Sequence, residues 1–404
     1  MANLFQEPPS PDEFVAFATP QPVVCERSVA ENIDLMLVLS GDQGPLGGAG
    51  QRLRPHLKTH KSDVITRMQL RRGISRFKAS TLGEVAMAAG AGAHSVLLAH
   101  QPVGVKIEQF VSLCGQHPDS QLAVVVDDLS VCDQLSAAAK RQRQRIDVYI
   151  DVDCGMHRTG VPIHADQQGG VDVCTERVET LANTIATLPA LRFAGLHAYD
   201  GHLHQPDLRS RRADVDKIVA DLMQVIESTS PPTVIVAGSP TFACWADAVA
   251  GRSVSTNWEL SPGTCLLWDW GYGDQYEDLP FQIAAGVLAT VVSLPTGPVE
   301  SGRRLVCLDT GTKAIASEMP MDQRVRIVGL PDAQVVAHNE EHLVVSVKAN
   351  DTVLVGRRVW VLPKHICPTM ARFDRAILAR QSPARAETIA IHGRQPASIG
   401  LNAS

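Results

Sequence analysis

The sequence is short of several things, and each shortage excludes a class of protein. It has no basic excess: 37 Lys and Arg stand against 43 Asp and Glu, a net charge of -6, so a nucleic-acid phosphate backbone is not expected as the main partner. The opening MANLFQEPPSPDEF has neither the basic nor the apolar region of a signal peptide, which predicts a cytoplasmic protein. The longest nearly apolar run, Phe281 to Pro295, is broken by Gln282, Thr290 and Ser293 and falls short of the ~20 residues a bilayer needs, so no membrane association is expected. The nine cysteines (Cys25, Cys114, Cys132, Cys154, Cys174, Cys244, Cys265, Cys307, Cys367) are odd in number and form no CxxC pair. They read as reduced thiols, most of them in the core, rather than a disulfide framework. No GxGxxG follows the first strand, no fixed-period repeat occurs, and no tract is of low complexity. Tyrosine is scarce, with only four in the chain.

What is present is ample apolar material, 45% of 404 residues, enough for two or three domains of ~150 residues or a large barrel plus a smaller unit. From about residue 20 to 265, short β-branched runs alternate with amphipathic stretches. The runs are Ile74-Ser80, Ser95-Ala99, Leu122-Asp127, Ile146-Asp151, Phe193-Tyr199 and Thr233-Ala237; the amphipathic stretches include Leu82-Ala91, Leu129-Arg141, Val173-Leu188 and Leu208-Ser228. Repeated βα units imply a parallel sheet with helices outside, and their number and span fit an α/β fold of the (β/α)8 barrel type. An open doubly wound sheet is the alternative. After Asp269 helical periodicity fades and alternating runs take over, at Ala289-Ser293, Arg304-Asp309, Val325-Val328, Leu343-Val347 and Val359-Leu362. We therefore expect a barrel over 16–268 and a C-terminal β-rich domain over 269–395, with loosely held termini before about residue 15 and after about 395.

Chemistry concentrates first at Arg54-Pro55-His56-Leu57-Lys58-Thr59-His60-Lys61, at the end of the first expected barrel strand. Strand C-termini form the active face of such barrels, so Lys58 would project there. Neighbouring Arg54, His60 and Lys61 would destabilise its ammonium and favour the free amine that a Schiff base requires. A solvated basic turn is the other reading. This segment resembles the pyridoxal-phosphate attachment site of the D-serine dehydratase and D-threonine aldolase family, which shares the barrel of alanine racemase, and the resemblance assigns the cofactor to Lys58. Further matching segments run almost to the end of the chain.

Lys78-Ala79-Ser80-Thr81-Leu82-Gly83-Glu84 resembles the family's second strand-turn-helix, whose loop lies beside the cofactor ring, here at Thr81. A helix N-cap by Ser80 or Thr81 with an early glutamate explains the same residues. Asp151-Val152-Asp153-Cys154-Gly155-Met156-His157-Arg158-Thr159-Gly160 resembles the family's D-x-D-x-G-x-x-R-x-G segment, whose arginine, Arg158 here, implies a contact with the pyridine nitrogen. Gly195-Leu196-His197-Ala198-Tyr199-Asp200-Gly201-His202 ends a strand in one of the four tyrosines, a candidate cofactor contact; His202 and His204 are weaker candidates. Small residues at Gly238-Ser239-Pro240-Thr241 and Ser261-Pro262-Gly263-Thr264, after the last two barrel strands, are the candidate phosphate loops. The residues expected to serve are Gly238, Ser239, Thr241, Gly263 and Thr264.

In the second domain, residues two apart on an extended chain share a face, so His365 and Cys367 can offer imidazole nitrogen and thiolate sulfur to one ion. The resemblance implies a His-x-Cys metal pair here, with sulfur favouring zinc; manganese suits the family's aspartate version. Glu340-Glu341-His342 resembles the family's pattern before the metal loop, with Glu341 and His342 as outer support, and Leu308-Asp309-Thr310-Gly311-Thr312-Lys313 resembles another family segment. Together these features imply a pyridoxal-phosphate and zinc (or manganese) dependent lyase for a small D-β-hydroxy-α-amino acid. Dehydration to a 2-oxo acid and ammonia is preferred because Cys367 resembles the dehydratase branch. Retro-aldol cleavage to glycine and an aldehyde is the runner-up, ahead of a noncatalytic carrier or a racemase. The resemblance also implies a homodimer, with Lys58 and the metal pair of one site on different chains.

Overall fold

The computed structural model describes residues 9–41, 50–163, 170–250, 256–380 and 386–392. The tail expected to be loose after about 395 lies outside these residues, and the side chain of Cys174 is also not described. The other eight cysteines are free thiols. No helix among the described residues is long and apolar enough to cross a membrane.

The strands, in chain order, are β1 (Gln21–Cys25), β2 (Arg76–Ala79), β3 (Ser95–Leu98), β4 (Gln121–Val126), β5 (Ile146–Asp153), β6 (Val161–Pro162), β7 (Leu191–Ala198), β8 (Thr233–Val236) and β9 (Asn257–Leu260). They continue with β10 (Ala285–Ser293), β11 (Arg303–Leu308), β12 (Val325–Ile327), β13 (Gln334–His338), β14 (Leu343–Lys348), β15 (Arg358–Pro363), β16 (Arg375–Ala379) and β17 (Glu387–Ala390). Two compact units result, one on Asp34–Gly263 and one on Met1–Ile33 with Thr264–Arg394.

In the Asp34–Gly263 unit the strands pair in parallel in the order β2-β3-β4-β5-β7-β8-β9, and β6 adds to β5. The extended stretch Leu53 to His56 closes the ring: Leu53 bridges Leu260 on one side and His56 bridges Lys78 on the other, both parallel. Arg54 N–H donates to the Leu260 carbonyl at 2.8 Å and Lys78 N–H to the Pro55 carbonyl at 2.9 Å. Eight strands and their outer helices make the α/β barrel, not the open doubly wound sheet. Because helices cover the outside and side chains fill the inside, strands such as β3 are buried at every position. Leu97, Ala123, Val125, Tyr149 and Ile235 pack together as one cluster of that core.

In the second unit the sheet order is β13-β14-β11-β10-β1-β16-β17, with β15 pairing both β10 and β12. Every second residue of β14 is apolar and fully buried: Leu343, Val345 and Val347 share a core with Val287, Ala289, Val291, Val306 and Leu308. Each buried valine or leucine contributes roughly 1.5–3 kcal/mol. Two expectations change here. The expected barrel over 16–268 includes the stretch 16–33, but that stretch groups with the second unit: its strand β1 pairs with β10 antiparallel and with β16 parallel, so the strand's backbone hydrogen bonds are spent in the second sheet. The N-terminal segment is also not loose once the description begins. Pro11–Phe14 form a 3-10 turn, Phe14 is fully buried edge-on against Trp360 at 5.5 Å, and Trp360 Nε1 donates to the Pro9 carbonyl at 2.9 Å.

Candidate active site

At the C-terminal end of the barrel strands lies a cavity of about 550 Å³ lined by Lys58, His56, Lys78, Ser80, Asp127, Asp151, Arg158, Thr159, His197 and Tyr199 among others. Lys58 sits half-buried in a single 3-10 turn, Leu57–Thr59, that follows the closing strand. The turn is held by His56, whose Nδ1 accepts the Lys58 N–H at 3.2 Å while its Nε2 meets Ser80 Oγ at 3.2 Å. Burial, then the charges of Lys58 and Lys78, push the His56 imidazole well below its usual pKa, so it is neutral.

The cations expected around Lys58 are not the ones that share its cavity. Arg54 faces inward like His56, but two residues of strand rise set it about 7 Å deeper. There it ion-pairs with Glu259 at 2.5 Å, both fully buried, and donates to Ser95 Oγ at 3.1 Å. Lys61 forms an ion pair with the buried Glu84. His60 is fully buried, accepts the Ser62 N–H at 3.1 Å, and burial brings it down to about 3.

Sharing the cavity with Lys58 are Arg158 and, at the end of β2, Lys78. Its side chain is buried, and burial followed by repulsion from Lys58 lowers it to about 7 against the pull of Asp200 and Asp151. Its Nζ lies 3.5 Å from His197 Nε2, and His197 Nδ1 lies 2.7 Å from Asp151 Oδ1. Burial keeps His197 below its usual pKa; burial would raise Asp151, but the His197 hydrogen bond leads the effects that bring it below its usual value. Lys78, His197 and Asp151 escaped the sequence reading as site residues. One signal was available: a lysine in an otherwise buried strand, two residues before Ser80 and so on its face.

The glycine- and aspartate-rich turn after β5 explains itself physically. Asp153 accepts the N–H groups of Gly155 and Met156 at 2.9 Å and of His157 at 3.0 Å, and Asp127 accepts that of Gly160 at 2.9 Å. Gly160 has φ +99°, and a Cβ there would stand 2.7 Å from Asp153 N, so only glycine fits. The turn presents Arg158 5.1 Å from the centre of the Tyr199 ring, while Lys78 and Lys58 approach the same ring at 5.2 and 5.9 Å.

Tyr199 folds over Gly201, where a Cβ would come within 2.5 Å of its Cζ. Behind it, the two small-residue loops meet: Gly263 N–H donates to Ser239 Oγ at 3.0 Å, and Gly238 N–H donates to Thr241 Oγ1 at 3.2 Å. A Cβ on Gly263 would press on His56 Cβ at 3.1 Å. Asp200, 1% exposed, accepts Trp245 Nε1–H at 2.7 Å on Oδ2, while its Oδ1 has no partner among the described residues. Thr81 is the N-cap of the helix Leu82–Gly90 and accepts the Glu84 N–H at 3.1 Å, while Glu84 receives the Ser80 N–H at 2.7 Å. This is the capping reading, and Ser80 rather than Thr81 lines the cavity. His202 and His204 do not line it. An amine, an aromatic platform and a fixed arginine in a cavity of this size, with the Gly238 loop against the Tyr199 ring, fit pyridoxal phosphate.

Thr264 belongs to the second unit, with its Oγ1 3.5 Å from Cys367 Sγ. In that unit His365 and Cys367 are hydrogen-bonded neighbours, and His365 Nδ1 lies 2.9 Å from Glu318 Oε1. Burial opposes protonation of His365, but Cys367, Asp269 and Glu318 together raise it to about 9. Surroundings that hold a proton so firmly also suit a cation, and imidazole with thiolate is a zinc-type donor pair. Among the described residues no group of three or more such donors that could hold a metal ion occurs. Glu341 and His342 are exposed, and Glu341 pairs with Lys313 at 2.7 Å, as Glu340 does at 3.0 Å. The contact made to His365 is instead that of Glu318, 47 residues upstream, which no local spacing could reveal.

Comparison with known proteins agrees with the fold. The family profile of the alanine racemase N-terminal domain matches residues 45–267, and that of a serine dehydratase domain matches 284–379. The D-threonine aldolase of Arthrobacter sp is 30% identical over 336 residues, 81% of this chain and 82% of the relative. The D-threo-3-hydroxyaspartate dehydratase of Delftia sp. (strain HT23) is 24% identical over 382 residues, 90% of this chain and 94% of the relative. The crystal structure of D-threonine aldolase from Filomicrobium marinum superposes with a TM-score of 0.76 at 26% identity, covering 93% of this chain and 96% of that one.

Proposed function

The chain belongs to the D-serine dehydratase and D-threonine aldolase family with its alanine racemase-like barrel, and on that premise we propose that it is a pyridoxal-phosphate and divalent-metal dependent lyase for D-β-hydroxy-α-amino acids. Its preferred reaction is dehydration and deamination to a 2-oxo acid and ammonia. The observation that carries the reading is Lys58, a half-buried amine over the Tyr199 ring in the barrel-mouth cavity.

When bound, pyridoxal phosphate supplies a carbonyl that couples to amines and a ring that accepts electron density from the α-carbon. The chain's residues do the rest. Lys58 Nζ would hold the cofactor and would serve as the base for the α-proton. Tyr199 supports one face of the ring space, and Arg158 keeps a permanent positive charge beside it. Gly238, Ser239, Thr241, Gly263 and Thr264 offer small-residue backbone for the phosphate. His365 and Cys367 would hold the metal, zinc by their donor types, which offers a Lewis acid for the β-hydroxyl.

The second reading, retro-aldol cleavage, is favoured by the D-threonine aldolase being the relative at 30% identity. Incubation of the cofactor-loaded protein with D-serine and D-threonine separates them. Ammonia with a 2-oxo acid supports dehydration, glycine with an aldehyde supports cleavage, and neither product from these two substrates or from a 3-hydroxy-D-aspartate refutes a lyase of this class. The implied homodimer is tested by light scattering of the purified protein, where a mass of one chain would refute it.

A further inference from the structure

We propose that Lys78 is a second proton-carrying amine of this site, aimed into the cavity by the Asp151–His197 pair and working alongside Lys58. The inference rests on the lyase reading above and adds a residue to it. Two lysines line one cavity and face one aromatic ring, yet they are held differently. Lys58 stands in the turn after a strand, half-buried. Lys78 is built into β2, 2% exposed, with its nitrogen fixed from behind.

The fixing has a direction. His197 Nδ1–H donates to Asp151 Oδ1 at 2.7 Å, which leaves the Nε2 lone pair facing Lys78 Nζ at 3.5 Å. One Lys78 N–H is thereby committed to an acceptor in either protonation state, and the rest of the nitrogen is left to the cavity. The groups around it are Lys58 and His56 from the closing strand and its turn, Asp151 on β5, Arg158 in the turn that follows, and His197, Tyr199 and Asp200 on or just beyond β7. Burial and Lys58 push the Lys78 proton off, while Asp200 and Asp151 hold it on, so Lys78 titrates near 7. An ordinary surface lysine is fully charged at that pH and cannot exchange a proton cheaply; this one can.

The step is a simple transfer. The Lys78 lone pair takes a proton from an O–H or N–H group in the cavity and becomes ammonium, then returns it, with no change of oxidation state. A buried structural lysine would instead be tied to a carboxylate, as Lys61 is to Glu84.

The test uses the cofactor-loaded full chain, with Lys78→Met and Lys78→Arg beside wild type. In the first readout, the visible absorbance of bound pyridoxal phosphate is titrated from pH 5 to 9. Wild type should show an inflection near 7 that both variants lack, while borohydride still fixes the cofactor on Lys58 in all three. In the second, kcat/KM for D-serine and D-threonine should lose its limb near 7 in both variants and fall about a hundredfold at pH 8, the usual scale for one general acid-base group. Arginine keeps the charge but cannot titrate, so it should not rescue. An inflection and a limb that persist in the variants overturn the proposal, as does rescue by arginine. Absence of any cofactor band in wild type would instead overturn the underlying lyase reading, so the two failures are distinct.

Discussion

Gly201→Ala probes the cofactor platform without touching any charged group. A Cβ at this position would stand 2.5 Å from Tyr199 Cζ and 2.7 Å from its hydroxyl oxygen. Ordinary contact begins at 3.4 Å and the ring's Cε1 comes nearer still than Cζ, so the ring must retreat by more than about 0.9 Å. No left-handed φ is required at Gly201, so the effect is steric and falls on the ring rather than on the backbone. The ring can move only at the expense of the cavity it walls, where Lys58, Lys78 and Arg158 all lie within 5.9 Å of its centre. Overpacking of this size typically costs about 1–3 kcal/mol. Because Tyr199 is only half-buried, we expect roughly 1 kcal/mol in folding and the remainder in ligand binding, or about tenfold weaker cofactor affinity. Titration of cofactor-free protein with pyridoxal phosphate, followed by absorbance, measures the second quantity; urea unfolding measures the first. Wild-type affinity in a folded Gly201→Ala protein would show that Tyr199 is not the platform, and the site would have to be rebuilt around other residues.

Lys58→Ala should remove the visible band of the bound cofactor and its fixation by borohydride, with circular dichroism unchanged; a fixed cofactor found on Lys78 would transfer the role to the second amine. Chelation, or Cys367→Ala, should abolish turnover while the cofactor band stays, with added zinc restoring only the chelated wild type; full turnover by metal-free protein would remove the metal from the reaction. Glu259→Gln leaves the buried Arg54 charge without its ion-pair partner and should cost about 3–5 kcal/mol in urea unfolding, whereas a loss below 1 kcal/mol would mean that water reaches the barrel floor. Lys78 has a folded-state pKa lowered from 10.5 to about 7, so its burial is a penalty fully present below pH 7 and relieved as pH rises from 7 to 10.5. Lys78→Met should therefore be more stable than wild type at pH 6, by up to about 5 kcal/mol, with the gain fading toward pH 10; equal stability at pH 6 would contradict the buried-cation account.

Much of the fold could be read along the chain because it is periodic. The helix expected at Leu129–Arg141 has those bounds, and β2, β3, β4, β7 and β8 fall within a few residues of the expected runs. In the second unit the five expected runs overlap β10, β11, β12, β14 and β15. Short segments without such a pattern were not legible: β1, β9, β13, β16 and β17 are mostly of four or five residues and depend on a partner strand to exist. The N-terminal strand is the clearest case, since nothing in Gln21–Cys25 says whether its hydrogen bonds go to the barrel or to the other sheet.

For the site the division runs along the same line. The sequence by itself supplied candidates from local chemistry: the lysine after the first barrel strand, the arginine of the aspartate and glycine turn, the tyrosine at a strand end, the small-residue loops, and the histidine and cysteine two residues apart; of these, Lys58, Arg158 and Tyr199 line one cavity. Only the tertiary structure decided which of the basic residues around Lys58 are its neighbours. Arg54 and Lys61, close in sequence, are neutralised by Glu259 and Glu84, while Lys78, twenty residues on, shares the cavity. It also joined Asp151 to His197 across β5 and β7, and His365 to Glu318 across 47 residues. The physical reason is that a charge in low-dielectric surroundings is governed by whatever lies within a few ångströms. In a barrel those neighbours come from adjacent strands, whose separation along the chain carries no trace of their separation in space.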